Sequence, residues 1–152
     1  MDRPLNLHGT ALWLNGTGIL LRGPSGSGKS VLVLCLLDRW EGRGLPARLV
    51  ADDRTDLTAR AGRLIMTPPP ALAGLIELRG RGILKRSCKS DVPLDLVVDL
   101  VPDLIRLPEP SVLRTEIAGV VIARAPVPSA GVVSIAHQML LVVEAIAALG
   151  GP

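Results

Sequence analysis

The chain has 152 residues, a length that suits one domain with a single core. Apolar residues make up 48% of it and charged residues 20%, which excludes a disordered tail. The formal net charge of +3 is small and the cations are scattered along the chain, so binding of nucleic acid is not expected.

The sequence predicts a cytoplasmic protein that does not enter a membrane. Its apolar runs all stay below eighteen residues, and MDRPLNLHG at the start lacks the apolar stretch of a signal peptide. Cys35 and Cys88 are far apart and form no CxxC pair. Two isolated thiols suit a reducing compartment and argue against a disulfide or metal framework.

The first part of the chain predicts a hairpin, a helix and a strand. TALWL and GILLR are β-type runs joined around Asn15-Gly16, a strong hairpin signal. VLVLCLLDRW follows Ser30 and is the apolar run in which a helix is expected. ARLVADD then reads as a short strand that ends in Asp52 and Asp53.

The remainder adds strands and a closing helix. DLTARAGRLIM predicts a second hairpin around Gly62, TPPPALAG a stiff connection, and LIELRGRGIL a segment with glycines. LDLVVDLV predicts a buried strand, PDLIRLPEPS a loop, IAGVVIARAPV one further strand, and VSIAHQMLLVVEAIAALG a helix. We therefore expect an α/β fold with β-hairpins and a mixed sheet, in which residues 1–152 form one domain.

The stretch GPSGSGKS matches the phosphate-binding pattern G-x-x-x-x-G-K-[ST] in full, between a predicted strand and a predicted helix. Its glycines let backbone N–H groups turn towards phosphate oxygens, and the helix N-terminus adds partial positive charge. Lys29 is expected to reach the terminal phosphates and the Ser30 hydroxyl to bind Mg²⁺. The residues expected to bind the nucleotide are Gly23, Pro24, Ser25, Gly26, Ser27, Gly28, Lys29 and Ser30.

Two adjacent carboxylates end the strand that follows. Nucleotide-binding folds of this kind place a carboxylate beside the metal at such a position. If the strand stays extended, Asp52 and Asp53 point to opposite sides and cannot both face one metal. One would then hold the ion or its water, and the other would take a proton from an acceptor hydroxyl. A solvated pair without a role is the alternative.

Three further residues give weaker signals. Glu77 and Arg79 share one face if their segment is extended, although an exposed pair on a hairpin is the simpler explanation. His8 alone could be a surface histidine. It precedes the hairpin that leads into the phosphate loop, however, and could therefore face a transferred phosphoryl group.

Taken in order, His-Gly, a hairpin, GPSGSGKS, LVADD and IELRGRGI resemble the catalytic domain of the bacterial HPr kinase/phosphorylase family. The short chain resembles the single-domain form known from alphaproteobacteria. ELRGRGI is similar to the family signature EIRGLGI, with Arg81 in place of leucine. The resemblance covers His8 to about Arg106 and implies a P-loop fold related to the phosphoenolpyruvate carboxykinase type.

The resemblance implies an enzyme that uses ATP and Mg²⁺ to phosphorylate a serine of the phosphocarrier protein HPr, and that can remove the phosphate by phosphorolysis. It implies Asp53 as the base and a homo-oligomer, since the family commonly forms hexamers. The candidate catalytic residues are His8, Lys29, Asp52, Asp53, Arg79 and Arg106. The candidate Mg²⁺ ligands are Ser30, Asp52 and Glu77.

Two departures from the family leave other functions open. Arg81 puts a charge where the signature has an apolar residue, and RAPVPSAGVVSIAHQ lacks the Pro-Gly-Arg-Asn stretch linked to dephosphorylation. Kinase activity is therefore expected, whereas the chain lacks the motif that the family links to phosphorolysis. The alternatives are a small-molecule kinase, for which the chain has little length to form a lid, and a regulatory ATP-binding module without catalysis. His137 and Cys35, on the predicted helices, are expected to be structural.

Overall fold

A computed structural model describes residues 4–150, so the predicted domain extends past the described part at both ends. Its helices are α1 (Lys29–Gly42) and α2 (Ile135–Leu149), and short 3-10 helices cover Pro70–Leu72 and Pro110–Leu113. The strands are β1 (Leu5–His8), β2 (Thr10–Leu14), β3 (Thr17–Arg22), β4 (Ala47–Ala51), β5 (Arg54–Arg60), β6 (Arg63–Thr67), β7 (Leu75–Leu78), β8 (Gly82–Lys85), β9 (Val92–Pro93), β10 (Leu96–Val101), β11 (Arg114–Ile117) and β12 (Val120–Pro128).

The strands form a large mixed sheet and two smaller sheets. The large sheet has the order β11-β12-β10-β3-β2-β4, with β3, β10 and β12 parallel to one another and the other pairs antiparallel. A second sheet has the order β1-β5-β6-β9, and β7 and β8 form a two-stranded sheet. The α/β fold with a mixed sheet and hairpins is therefore confirmed.

The large sheet separates two apolar cores. Leu96, Val98 and Leu100 face the helices, where they pack with residues of α1 and α2. Val97 faces the second sheet and packs with Leu57 and other residues of that layer. Because β10 is covered on both faces, five of its six residues are apolar and Asp99 is the exception, in agreement with the prediction of a buried strand.

Three hairpins share one turn geometry. The predicted hairpins around Asn15-Gly16 and Ala61-Gly62 are both present, and both central residues of each turn have positive φ. The prediction of one strand for IAGVVIARAPV is wrong. Ala118 (φ 49°) and Gly119 (φ 79°) make the same kind of turn and divide the segment into β11 and β12, which pair with each other. Positive φ at both positions matches the twist of the flanking strands.

Both predicted helices are present. The backbone N–H of His137 donates to Ser134 Oγ over 3.2 Å, so Ser134 caps α2 and sets its start. Cys35 on α1 is half-buried rather than fully buried. Burial and the nearby Asp38 raise the pKa of its thiol, which favours the unreactive form. Neither of the helices in the described part of the chain is long and apolar enough to cross a membrane.

A charged cluster fixes β3 just before the phosphate loop begins. Asp99 accepts hydrogen bonds from Arg22 Nε and Nη2, over 2.7 and 2.8 Å, and from Arg124 Nε over 2.5 Å. Burial disfavours the Asp99 carboxylate, but the hydrogen bonds from the two arginines outweigh that effect, so its pKa lies below its ordinary value of 3.8. The last residue of β3 is therefore tied to β10 and β12.

We predict that Asp99→Asn lowers the free energy of unfolding at neutral pH by about 1–3 kcal/mol, because two partly buried guanidinium groups lose their counter-charge. The stabilisation from Asp99 is complete above the ordinary pKa of 3.8 and disappears as the pH falls through the lower folded value. The difference between wild type and variant in urea unfolding should therefore close in acid. Asp103→Asn, at an exposed position, is the control, and an equal loss there would contradict the assignment.

Candidate active site

The segment from Gly23 to Gly28 joins β3 to α1 as a tight loop. Gly26 (φ 84°) and Gly28 (φ 95°) have the left-handed backbone that glycine tolerates. A Cβ on Gly28 would also lie 2.9 Å from Ala130 Cβ. The first backbone N–H groups of α1 have no carbonyl partner within the helix, so the loop presents free donors and the positive end of the helix to an anion.

Lys29, the first residue of α1, folds back over this loop. Its Nζ donates to the carbonyl oxygens of Gly23 and Pro24 over 2.7 and 3.1 Å. Burial lowers the pKa of Lys29; Asp53 and Asp52 oppose this, and Arg79 adds to it. Ser27 Oγ is buried and has no hydrogen-bond partner among the described residues. Such a donor set suits phosphate oxygens, which would satisfy groups that the protein leaves free.

Asp52 joins three elements of the fold. Its Oδ1 accepts hydrogen bonds from Thr10 Oγ1 on β2 and Ser30 Oγ on α1, each over 3.0 Å. Its Oδ2 accepts the backbone N–H of Glu77 on β7 over 3.0 Å. The carboxylate therefore holds the Ser30 hydroxyl and the β7–β8 hairpin at the mouth of the loop.

Asp53 leaves the extended conformation. Its φ of 66° is in the left-handed region, where Asp is among the more tolerated residues, and β4 has already ended at Ala51. Because the chain is not extended at this point, the two carboxylates do not have to face opposite sides. Asp52 and Asp53 line the same pocket. The Asp53 N–H donates to Thr10 Oγ1 over 3.2 Å, so one hydroxyl orients both aspartates.

His8 meets Asp53 where the chain passes from the second sheet into the large one. His8 Nε2 lies 2.8 Å from Asp53 Oδ1, at hydrogen-bonding distance, and both side chains are partly exposed. The N–H of Gly9 donates to the Asp53 carbonyl over 2.8 Å. A Cβ on Gly9 would come within 2.9 Å of both Leu20 Cδ1 and Leu21 O, so the residue after His8 has to be small.

Most of the predicted site residues surround one cavity of about 480 Å³. The loop behind the cavity includes Gly23, Pro24 and Ser27. His8 does not line the cavity but contacts Asp53, which does. The side chain of Arg79 donates to Ser25 Oγ over 3.3 Å, which brings the β7–β8 hairpin against the loop. The predicted residues that line the cavity are Ser25, Gly26, Gly28, Lys29, Ser30, Asp52, Asp53, Glu77 and Arg79.

The prediction of Arg106 as a residue of this site is wrong, because Arg106 does not line this cavity. Arg106 follows β10 in an exposed loop and lines a second cavity of about 350 Å³, together with His137 of α2. Conversely, Thr10 and Val31 line the first cavity, which we call the phosphate cavity, but were missed. A threonine at the start of a strand and a valine in an apolar run match no functional motif. Only the tertiary structure brings them to the cavity, so the sequence could not predict them.

The oxygen atoms near Ser30 suit a hard divalent cation. No group of three or more His, Cys, Asp or Glu side chains in residues 4–150 is arranged to hold a metal ion by itself. Mg²⁺, however, keeps several water and phosphate ligands and needs only one or two protein oxygens. Ser30 and Asp52 already lie together, and Glu77 lines the same cavity, so the donors fit Mg²⁺ bound with a nucleotide.

Comparison with known proteins places the chain in a family. The family model described as the HPr serine kinase C-terminal domain matches residues 2–148. The chain belongs to the HPr serine kinase C-terminal domain family. The HPr kinase/phosphorylase of Aromatoleum aromaticum is 34% identical over 143 residues, which cover 86% of this chain and 44% of that protein.

Other HPr kinase comparisons agree with this placement. The HPr kinase/phosphorylase of Clostridium tetani is 42% identical over 78 residues, covering 51% of this chain and 24% of that protein. The chain therefore spans less than half the length of either relative. The solved Hpr(Ser) kinase/phosphatase from Coxiella burnetii has the same fold, with a TM-score of 0.70 at 22% identity over 96% of this chain and 97% of that one.

We predict that Thr10→Val lowers the free energy of unfolding by about 1–3 kcal/mol, because it removes one of the three hydrogen bonds to the Asp52 carboxylate and leaves the Asp53 N–H without its partner. The shape of the side chain is nearly unchanged, and Thr10 is fully buried. Denaturant titration measures the loss. Thr10→Ser keeps the hydroxyl and should recover much of the stability; if both variants lose the same amount, the hydrogen bonds are not the cause.

Proposed function

We propose that this chain is a protein serine kinase that transfers the terminal phosphoryl group of ATP to HPr. The observation that carries the proposal is the position of Asp53, an exposed carboxylate on the rim of a cavity whose floor is a phosphate-binding loop. A hydroxyl of another protein can reach such a carboxylate. The names of the relatives supply HPr as the acceptor.

The phosphates of ATP would lie along the Gly23–Ser30 loop. Free N–H groups at the start of α1 and the unpaired Ser27 hydroxyl would donate to them. Lys29 would exchange its two carbonyl partners for phosphate oxygens, which are better acceptors for an ammonium group. Mg²⁺ held by Ser30, Asp52 and Glu77 would neutralise charge on the phosphates.

Asp53 is the group we assign to the acceptor proton. A carboxylate is a weak base at neutral pH. Phosphoryl transfer passes through a loose transition state in which the hydroxyl proton leaves late, so a weak base at the correct position suffices. His8, 2.8 Å from Asp53, fixes that carboxylate and adds a polar ring beside the transferred group.

The remaining charge on the transferred group would be balanced by Lys29 and Arg79. Both line the cavity, and they come from different elements, Lys29 from α1 and Arg79 from the β7–β8 hairpin. Donors that are already in position stabilise the developing charge without a reorganisation step. Arg106 has no part in this scheme, because it lies at the second cavity.

We predict that Asp53→Asn reduces phosphoryl transfer to HPr by about 10²- to 10⁴-fold, because the acceptor hydroxyl loses its base. Asn tolerates the positive φ of this position, so the fold should persist. The measurement is the intact mass of HPr from the same organism after incubation with the protein, ATP and Mg²⁺. ATP binding, followed by calorimetry, should change little.

Asp91→Asn is the matched control, because Asp91 is also an exposed aspartate with positive φ (56°) and lies outside the phosphate cavity. It should keep full transfer. If Asp53→Asn also keeps transfer, Asp53 is not the base. If the wild-type protein binds ATP but adds no mass to HPr, the kinase proposal is wrong and a regulatory ATP-binding module becomes the better explanation.

A further inference from the structure

The β7–β8 hairpin and the segment after it carry an excess of positive charge, with Glu77 as the one acidic residue among residues 75–89. Between residues 79 and 89 the chain has five cations and no acidic residue. None of the five forms an ion pair with a described residue. They are Arg79, Arg81, Lys85, Arg86 and Lys89.

The register of the hairpin divides its residues between two faces. Ile76 pairs with Leu84, and both pack in the core beneath α1 and α2. The next pair, Glu77 and Ile83, therefore points the other way. Ile83 is 62% exposed, and Lys85 lies two residues further along the same face. We call this the outer face of the hairpin.

The outer face is continuous with the phosphate cavity. Glu77 and Arg79 line the cavity, and the Glu77 backbone is bonded to Asp52. Arg81, at the end of the turn, is exposed beside them. The hairpin forms one side of the opening, so a protein that brings a hydroxyl to the cavity can lie against this face.

We propose that the outer face binds an acidic patch of the acceptor protein next to the phosphorylated hydroxyl, with Arg81 and Lys85 supplying the charge and Ile83 the apolar contact. The inference rests on the proposed kinase function and adds a determinant of substrate recognition to it. Exposed cations that lack a counter-charge repel one another, and partner carboxylates remove that repulsion while steering the encounter.

A protein surface fits this face better than a nucleic acid does. Residues 75–89 include no aromatic side chain on which a base could stack. The exposed side chain between the cations is an isoleucine, which suits apolar contact with another protein. The cations also stand beside the cavity in which the acceptor hydroxyl has to react, so their position matches a role in binding the acceptor.

The test is the double variant Arg81→Glu/Lys85→Glu in the full chain, with HPr from the same organism as acceptor. We expect the KM for HPr to rise about tenfold or more while the affinity for ATP is unchanged. Raising NaCl from about 50 to about 300 mM should weaken wild-type activity towards HPr more than that of the variant. The control, Arg43→Glu/Arg114→Glu, makes the same change in net charge at exposed positions outside the cavity.

The outcomes separate this proposal from the one on which it rests. If the wild type does not phosphorylate HPr at all, the kinase proposal fails. If it does, and the hairpin variant has an unchanged KM or the control raises KM equally, the docking proposal alone is overturned. It is also overturned if the wild type and the hairpin variant have the same KM for HPr, while a single-stranded RNA oligonucleotide binds the wild type and not the variant.

Discussion

Three elements of the fold meet at the carboxylate of Asp52, and the geometry of the site depends on that meeting. Thr10 at the start of β2, Ser30 at the start of α1 and the backbone of Glu77 on β7 all donate to it. Two oxygens with several lone pairs can accept all three hydrogen bonds at once. Asp52, directly after β4, thereby links the phosphate loop to the hairpin.

The same contacts explain why two adjacent aspartates reach one cavity. An extended strand would turn Asp53 away, but the chain bends at Asp53 into the left-handed region and its N–H returns to the Thr10 hydroxyl. A non-glycine residue in that conformation costs free energy that the surrounding contacts have to offset. The bend leaves Asp53 exposed beside His8, while Asp52 stays fixed behind it.

Local signals of the sequence predicted the phosphate loop, α1, α2 and the first two hairpins. The same kind of turn is made by Ala61-Gly62 and by Ala118-Gly119, but only the first was predicted. Polar residues flank the first turn and indicate the end of a strand, whereas valine and isoleucine follow the second and suggest that a strand continues. Thr10 escaped notice because its role comes from contacts with residues more than forty positions away. Arg106 was placed by resemblance to the family, at the point where that resemblance ends, and the loop after β10 takes it to α2 instead.

The β7–β8 hairpin brings together cations that uncharged residues separate in the sequence. Along the chain the cations look scattered, since uncharged residues separate Arg79, Arg81 and Lys85. In a hairpin, however, alternate residues share a face, and register brings the two strands side by side. Arg79 and Arg81 therefore lie in the exposed turn of the hairpin, and Lys85 lies further along β8 on its outer face. A net charge of +3 for the whole chain conceals this, because most of the acidic residues that balance it lie outside the hairpin, for example Asp99, which pairs with Arg22 behind the phosphate loop. Positive charge is therefore concentrated on the hairpin side of the cavity opening, where Asp53 and Glu77 supply carboxylates.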